Sequence, residues 1–586
     1  MLIQALADYA DTRLQGQLED PAFERKPVPL LLEISKDGRF LGFIPHEETV
    51  TRGKKSRTQP RERIVPKSPV NRNSGTHPLL AFDDAKYLFG PGPWTKPNQE
   101  ADHREKHEAF VALLGEAARV TGDEALSACV GFYESPAEVE KARAAFDAKV
   151  TGGILLSVSP EGPVVDRLAA KEFWRAQFDR KSAARNEKGG TGMCLVTGRV
   201  GSIAPTHDLI KGATALGGQP SGVALMSFDK ESFRSYGWDK NANSPVSPER
   251  ARAYVLALNH LMGGFDKSRV DHNGVGFLYW TRKPECEDVM FLLEKADPEA
   301  VRRVLQLHEG SIATVEPNDF YLLAVSGNGG RLLVRSWFHD SLDKVLHNVS
   351  KWFDDLRIWN VFTGEVSEPP PFWLVLKSLA RDEPPADREV QLIRRAITGA
   401  PVGKTILAGA LSRLRVASGS DRFSPVRAGV IRLAVNDQSS QKGESPLTER
   451  LDAASDHEAY LCGRLLAVYD SLQYAAHEEE VGVTIADRYF SLASTYPAVA
   501  FPRIMQLGQK HLAKLRRNED RRSAFFAIEK QIQSLLSRLA TGDARFPGRL
   551  SLEDQGRFAI GFHHQRAEGM AQVRERKQKK EQGESQ

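Results

Sequence analysis

The sequence predicts a mixed α+β N-terminal part, with antiparallel strands and helices, followed by an all-α C-terminal helical bundle. Three observations carry this. VPLLLEISKDGRFLGFIPH places two β-prone runs around Asp37–Gly38, a turn pair favoured between antiparallel strands. VGFLYWTRK and FYLLAVSGNGGRLLVRSWFHD are apolar runs of strand length, rich in aromatic and β-branched residues, and read as buried strands. Beyond residue 448 the apolar residues recur at helical spacing: Leu461, Leu465, Val468 and Leu472 form one stripe, and Phe525, Ile528, Ile532, Leu535 and Leu539 another. The expected division is a mixed domain over 1–372, a helical connector over 373–438, a polar linker over 439–447, a bundle over 448–570 and a flexible tail over 571–586.

Length and composition narrow the function classes. The 586 residues correspond to roughly four domain-sized units, and 41% hydrophobic content suffices for real cores. Formal net charge is only +4, so a nucleic-acid footprint has to be local. The cysteines, Cys129, Cys194, Cys286 and Cys462, form no C-x-x-C pair, which fits a reducing compartment. The first residues, MLIQALADYADTRLQ, read as an amphipathic helix containing acids, unlike a signal peptide. No apolar run reaches the roughly 18–20 residues of a membrane span. A soluble, cytoplasmic protein is expected.

The most one-sided charge lies between Thr51 and Gly75. Arg52, Lys54, Lys55, Arg57, Arg61, Arg63, Lys67 and Arg72 face a single acid, Glu62. Three prolines and no helical periodicity predict an extended loop. A solvated insertion is the bland reading; the single sign of the charge and the closely spaced Lys67, Arg72, Asn73 and Gly75 favour contact with phosphates. Helical patterns then fill 104–150 and the stretch AAKEFWRAQFDRKSAARNEK.

The chain is organised around Met193 to Met262. Gly212, Gly217, Gly218 and Gly222 precede an aromatic–Gly corner at Tyr236–Gly237 and the Asn241/Asn243 loop. A helix follows, with Ser247 as N-cap, Pro248 at its first position and Val255, Leu258 and Leu261 facing a core. Glycines admit close backbone approach to a ligand, and amides bond base edges or phosphate oxygens. This composition points to a polyanion-binding surface, although Asn241 and Asn243 serve equally well as turn formers. Arg331 and Arg335 share one strand face, where they either pair with carboxylates or hold phosphate. In the bundle, Lys514, Arg516, Arg517, Arg521 and Arg522 are either a solvated helix face or a single-strand contact.

Several chemical motifs are incomplete. Gly399-Ala-Pro-Val-Gly403-Lys404-Thr405 is one spacer short of a phosphate loop and follows a helical pattern, so a turn between helices is expected. His207–Asp208 and His339–Asp340 lack the further spaced ligands of a metal centre. Asp83–Asp84 and Asp354–Asp355 are sequence neighbours that point apart, and Asp83–Asp84 marks a helix or turn start. No nucleophile is assembled with its base, and neither a cofactor nor a metal is expected.

The central stretch also carries a resemblance. P-x-H-x-x-I-K-G (Pro205, His207, Ile210, Lys211, Gly212), G-G-Q-x-S-G (Gly217 to Gln219, Ser221, Gly222), S-Y-G (Ser235 to Gly237) and N-x-N-x-P-V-S (Asn241, Asn243, Pro245 to Ser247) resemble the large subunit of the type I-C CRISPR Cascade complex. P-K-x-x-x-x-R-x-S-G before FDDAKYLFG, N-x-x-R-x-x-V-R-x-W around Arg331, and the near-terminal RFAIGFHHQR extend the likeness along the chain. The resemblance implies an RNA-guided surveillance complex for antiviral defence, in which this subunit is no enzyme. It would read a short PAM of TTC type on double-stranded DNA, help open the duplex and guide the displaced strand. Implied partners are the guide RNA, the target DNA, the backbone and guide-end subunits and a recruited helicase-nuclease. A small subunit translated from the C-terminal part of the same gene is also implied. Only Met505 and Met570 lie beyond the 439–447 linker, so its start would be a codon read here as Leu or Val near Leu461 to Val468.

The residues expected at PAM-proximal DNA are Lys67, Arg72, Asn73, Lys211, Gln219, Asn241 and Asn243, with amides on base edges and cations on phosphate. Arg516, Arg517, Arg521 and Arg522 are expected at the displaced strand. The alternatives are a metal-dependent nuclease using His207 or His339, and a scaffold that reads no sequence.

Overall fold

The structure is a computed structural model that describes residues 2–18, 20–52, 55–70, 72, 75–264, 268–283, 289–295, 297, 299–300, 318–381, 385–417, 421–422, 424–477, 482–539 and 546–583. The chain forms two compact units: Met1–Lys267 with Gly327–Leu333, and Ser268–Ser326 with Val334–Gln586. The first mixes helices with antiparallel sheets, and the helices of the C-terminal region dominate the second.

In the first unit, strands β1 (Phe23–Val28), β2 (Leu30–Ile34), β3 (Phe40–Pro45), β4 (Glu47–Arg52) and β5 (Lys55–Pro66) follow one another closely. The Asp37–Gly38 turn joins β2 to β3 in an antiparallel pair. Gly38 takes φ +79°, and a Cβ there would lie 2.7 Å from the Phe132 amide nitrogen, so position and conformation both exclude a side chain. Strand β6 (Phe82–Asp83) and strand β7 (Ile154–Val158) complete a sheet of order β3-β2-β7-β6, with β2 and β7 parallel. Every residue of β7 is buried. Helices Glu100–Thr121, Glu124–Glu134, Pro136–Ala145 and Leu168–Glu187 cover this sheet. Phe110, Leu114, Phe132 and Trp174 join Leu32, Ile34 and Leu155 in one core.

The charged stretch after Thr51 is not an extended loop. It is largely strand: β4 and β5 form an antiparallel hairpin, and β5 pairs on its other side with β1, from Phe23↔Pro66 to Val28↔Arg61. Backbone ladder bonds hold charged residues in strands whatever their side-chain pattern, which a reading based on side-chain alternation misses.

The helix Pro248–Met262 begins as its sequence requires: the Ser247 hydroxyl accepts from the Arg250 amide at 3.4 Å, and Val255, Leu258 and Leu261 are buried. It packs on the N-terminal helix Leu2–Arg13, where Tyr9 and His260 share a hydrogen bond of 3.1 Å and Arg250 pairs with Asp11 at 2.6 Å.

In the second unit, residues Gly276–Thr281 and Phe320–Val325 pair antiparallel. Phe277, Phe320 and Leu322 share a core with Leu346, Trp352, Leu392 and Leu465, so the expected boundary near 372 falls inside one continuous apolar cluster. Residues 400–403, ahead of Lys404, are a turn between helices Ala386–Thr398 and Lys404–Val416, with Gly399 at φ +70° closing the first. Residues 439–442, expected to open a linker, are the last turn of helix Pro425–Lys442. Ser439 is fully buried and donates to the Val435 carbonyl at 2.9 Å, while Arg557 donates to it at 2.6 Å and to Glu444 at 2.7 Å. Polar residues pack here because they satisfy one another. The expected tail is likewise helical as far as Gly583.

Both predicted stripes of the bundle face the core. Helix Glu458–Ala476 crosses helix Leu552–Gly583 so closely that a Cβ at Gly463 would lie 1.9 Å from the Phe558 carbonyl oxygen. At Gly561 it would lie 2.2 Å from the Tyr460 carbonyl oxygen. Gly463→Ala is therefore expected to destabilise the protein by about 3 kcal/mol, because the clash is with backbone and no rotamer relieves it. Thermal or urea unfolding checks this, with Gly569→Ala in the same helix, where a Cβ meets nothing within 4 Å, as a control that does not destabilise.

Candidate nucleic-acid interface

The segment PTHDLIKG, from Pro205 to Gly212, gathers several of the predicted side chains. Arg185, near the end of helix Leu168–Glu187, acts as a fork: it donates to the Pro69 carbonyl at 2.8 Å, the Thr206 carbonyl at 2.9 Å and the Thr206 hydroxyl at 2.8 Å. It also lies 3.5 Å from Asp208. Lys67, just past β5, donates to the other Asp208 oxygen at 3.2 Å and keeps 29% of its side chain exposed. Burial alone would raise the Asp208 carboxyl, but Lys67 and Arg185 outweigh it and hold the group below the ordinary carboxylate range. The root of the basic hairpin and the glycine-rich segment are thus tied at one carboxylate.

His207 points inward. Its ring meets Tyr254 edge-on, and its Nδ1 shares a 2.7 Å hydrogen bond with the Tyr254 hydroxyl. Burial brings the imidazole down to about 4, so it is neutral at physiological pH. His339 stands on an exposed strand position, and its neighbour Asp340 pairs with Lys344 at 2.5 Å. Among the described residues no group of three His, Cys, Asp or Glu side chains comes together to hold a metal.

Lys211 is exposed, with its backbone amide donating to Asn259 at 2.7 Å and its ammonium to the Ser221 carbonyl. Partial burial and the neighbouring Lys26 of β1 lower its pKa. Gln219 is also exposed: its amide bonds the Gly222 carbonyl at 3.0 Å, and its backbone N–H reaches the Gly329 carbonyl at 2.9 Å. The backbones run so close here that a Cβ at Gly327 would lie 2.2 Å from the Gly218 nitrogen. Asn241 is 2% exposed and its backbone N–H reaches the Pro205 carbonyl at 3.4 Å; Asn243 donates to the Lys240 carbonyl at 3.0 Å. Both asparagines shape the loop from within it.

Arg72 belongs to the fold. It donates at 2.5 Å to Asp83, whose carboxylate is 1% exposed, and its guanidinium lies 4.7 Å from the centre of the Tyr87 ring. Asp83 also accepts from the Leu79 and Asp84 amides, each at 3.0 Å. Asn73 lies outside the described residues. In the second unit, Arg521 donates to the Ala475 and His477 carbonyls at 2.9 and 3.1 Å and so closes the C-terminus of helix Glu458–Ala476. Arg516, Arg517 and Arg522 remain exposed around the turn that joins helices Pro497–Arg517 and Arg522–Leu539.

The family model described as CRISPR-associated protein (Cas_Csd1) matches residues 6–570. The chain belongs to this CRISPR-associated family. No curated protein matches the chain. Of the side chains that the sequence singles out, Lys211, Gln219, Arg516, Arg517 and Arg522 are exposed and Lys67 is half-buried at Asp208. Arg185 and Lys26 escaped the sequence reading, since one sits in an ordinary amphipathic helix and the other in a short strand. Trp238 was missed as well, although an aromatic–Gly–aromatic triplet in a polar loop has no core to enter and could have been singled out.

Burial pushes the Asp83 carboxyl up to about 6 against the opposing pull of Arg72. Arg72→Met removes that pull, so the folded-state pKa rises further while the unfolded value stays near 3.8. The penalty is absent below the unfolded value and complete above the folded one. The variant is expected to lose about 3–5 kcal/mol at pH 8 and markedly less at pH 5. Unfolding curves of both proteins at the two pH values check the widening gap.

Proposed function

We propose that the chain is the large subunit of a type I-C Cascade complex, which recognises the PAM in double-stranded DNA. It then helps open the duplex and hold the displaced strand, and it contributes to recruiting a helicase-nuclease that performs the cleavage. The observation that carries this reading is the family match along 6–570. The grouping of Lys67, Lys211 and Gln219 about one segment of the first unit supports it: cations there suit phosphates and the Gln219 amide suits a base edge. Sequence discrimination beyond the PAM falls to the guide RNA. The subunit itself carries no reaction, and its partners are the guide RNA, the backbone and guide-end subunits and a small subunit corresponding to the C-terminal bundle. The exposed Arg516, Arg517 and Arg522 suit a single strand, while Arg521 holds the helix end they surround.

The test uses the subunit assembled with its guide RNA and backbone subunits, and duplexes carrying TTC or a scrambled trinucleotide. Wild type is expected to prefer TTC. Lys67→Ala with Lys211→Ala is expected to weaken binding to both duplexes and to reduce the salt slope of log K by about 2, one for each lost phosphate contact. Equal binding of wild type to both duplexes would return the subunit to a scaffold role. Metal-dependent cleavage by the purified chain would make it a nuclease.

A further inference from the structure

The loop between Arg234 and Asn243 carries two aromatic rings that no core receives. Tyr236 is 95% exposed and Trp238 52%. Tyr236 holds φ +61°, a left-handed backbone that a bulky aromatic residue rarely adopts, and Gly237 follows at +74°. The two ring centres lie 6.3 Å apart at 51°, so the rings are not stacked on each other and their faces stay available. The base of the loop is firm. Phe233 meets Phe228 edge-on and lies under the Arg331 guanidinium, which itself pairs with Asp229 at 2.8 Å. At the other end Asn241 is buried. A fixed loop therefore presents two rings to solvent in a strained backbone, the kind of strain that persists where it serves a site.

The chemistry of the loop selects its occupant. Apart from the rings, the only apolar residue from Arg234 to Asn243 is Ala242. A protein-binding hot spot requires a rim of further contacts that excludes water, and this loop has none to offer. A nucleobase requires only a π face, with cations nearby for its phosphate. Lys240 is exposed beside the rings, and Arg234 is held at 3.3 Å from Asp239. We propose that Tyr236 and Trp238 form a stacking platform for unpaired bases of single-stranded DNA. This rests on the reading of the chain as a subunit that engages DNA as its duplex opens.

The experiment measures anisotropy of labelled oligo-dT, and of a strand of the same length with abasic sites, on the full chain. The Tyr236→Ala, Trp238→Ala double variant should bind oligo-dT about 10- to 100-fold more weakly than wild type, with the salt slope unchanged. Wild type should bind the abasic strand as weakly as the variant does, and Tyr236→Phe should bind like wild type. Both side chains are exposed, so unfolding temperatures should stay the same. Equal binding of oligo-dT by wild type and double variant overturns the platform, as does a wild-type chain that ignores oligo-dT. The TTC preference of the assembled complex is measured separately with these residues intact, so the functional reading survives or fails on its own.

Discussion

The first unit depends on how Arg185 and Lys67 meet Asp208. The apolar core of this unit runs from Ala22 to Phe178, and the glycine-rich segment after Met193 contributes no side chain to it. That segment buries Ile203, Ile210, Leu216 and Val223 apart from this core. Polar ties add to that burial. One planar guanidinium bonds two separate stretches, at Pro69 and Thr206, and approaches a carboxylate that also receives Lys67. A lysine at 185 could not form the same fork, because its ammonium is a point charge on a flexible stem. The half-buried Asp208 is thus the point through which the hairpin root and the Pro205–Gly212 segment keep a common geometry.

Glycine plays a second, quieter part in both units. Close backbone contact at Gly218 and Gly327 allows the 217–224 stretch to run beside residues 329–331, with bridges from Gly218 to Gly329 and from Ala224 to Arg331. Gly463 and Gly561 do the same between two helices of the bundle. In each case the missing side chain is used for proximity rather than for an unusual dihedral. This explains why long helices in the bundle tolerate residues that intrinsically disfavour helix, where each Gly costs about 1 kcal/mol against Ala.

Where local pattern and burial agree, the sequence was readable. The β2–β3 turn at Gly38, the Ser247 cap, the turn after Gly399 and the stripes through Leu461 and Phe525 all follow from residues a few positions apart. The misreadings share a physical origin, which is long-range satisfaction of polar groups. Arg72 looked like a DNA contact because Asp83, eleven residues on, gave no sign that its carboxylate would be buried. Arg521 looked like its exposed neighbours because the carbonyls it caps lie 46 and 44 residues away. Ser439 looked like linker because its partners Glu553 and Arg557 belong to a helix more than a hundred residues distant. Charge counted along a chain cannot distinguish a cation with an internal partner from one left for a ligand.

The same distinction sorts the cations of the candidate site. Arg72 and Arg521 are used up by the fold, and Arg185 is largely so. Lys67 is held at Asp208, while Lys211 feels Lys26 as a like charge and Glu24 as an opposite one. Asp208 is already shared with Arg185, and Glu24 pairs with Lys26 at 2.7 Å. Lys211 donates to the Ser221 carbonyl, and burial first, then the nearby Lys26, disfavour its charged form while Glu24 favours it. Under the proposed reading of the chain as a DNA-engaging subunit, phosphate oxygens are the groups whose charge would offset the repulsion between Lys26 and Lys211.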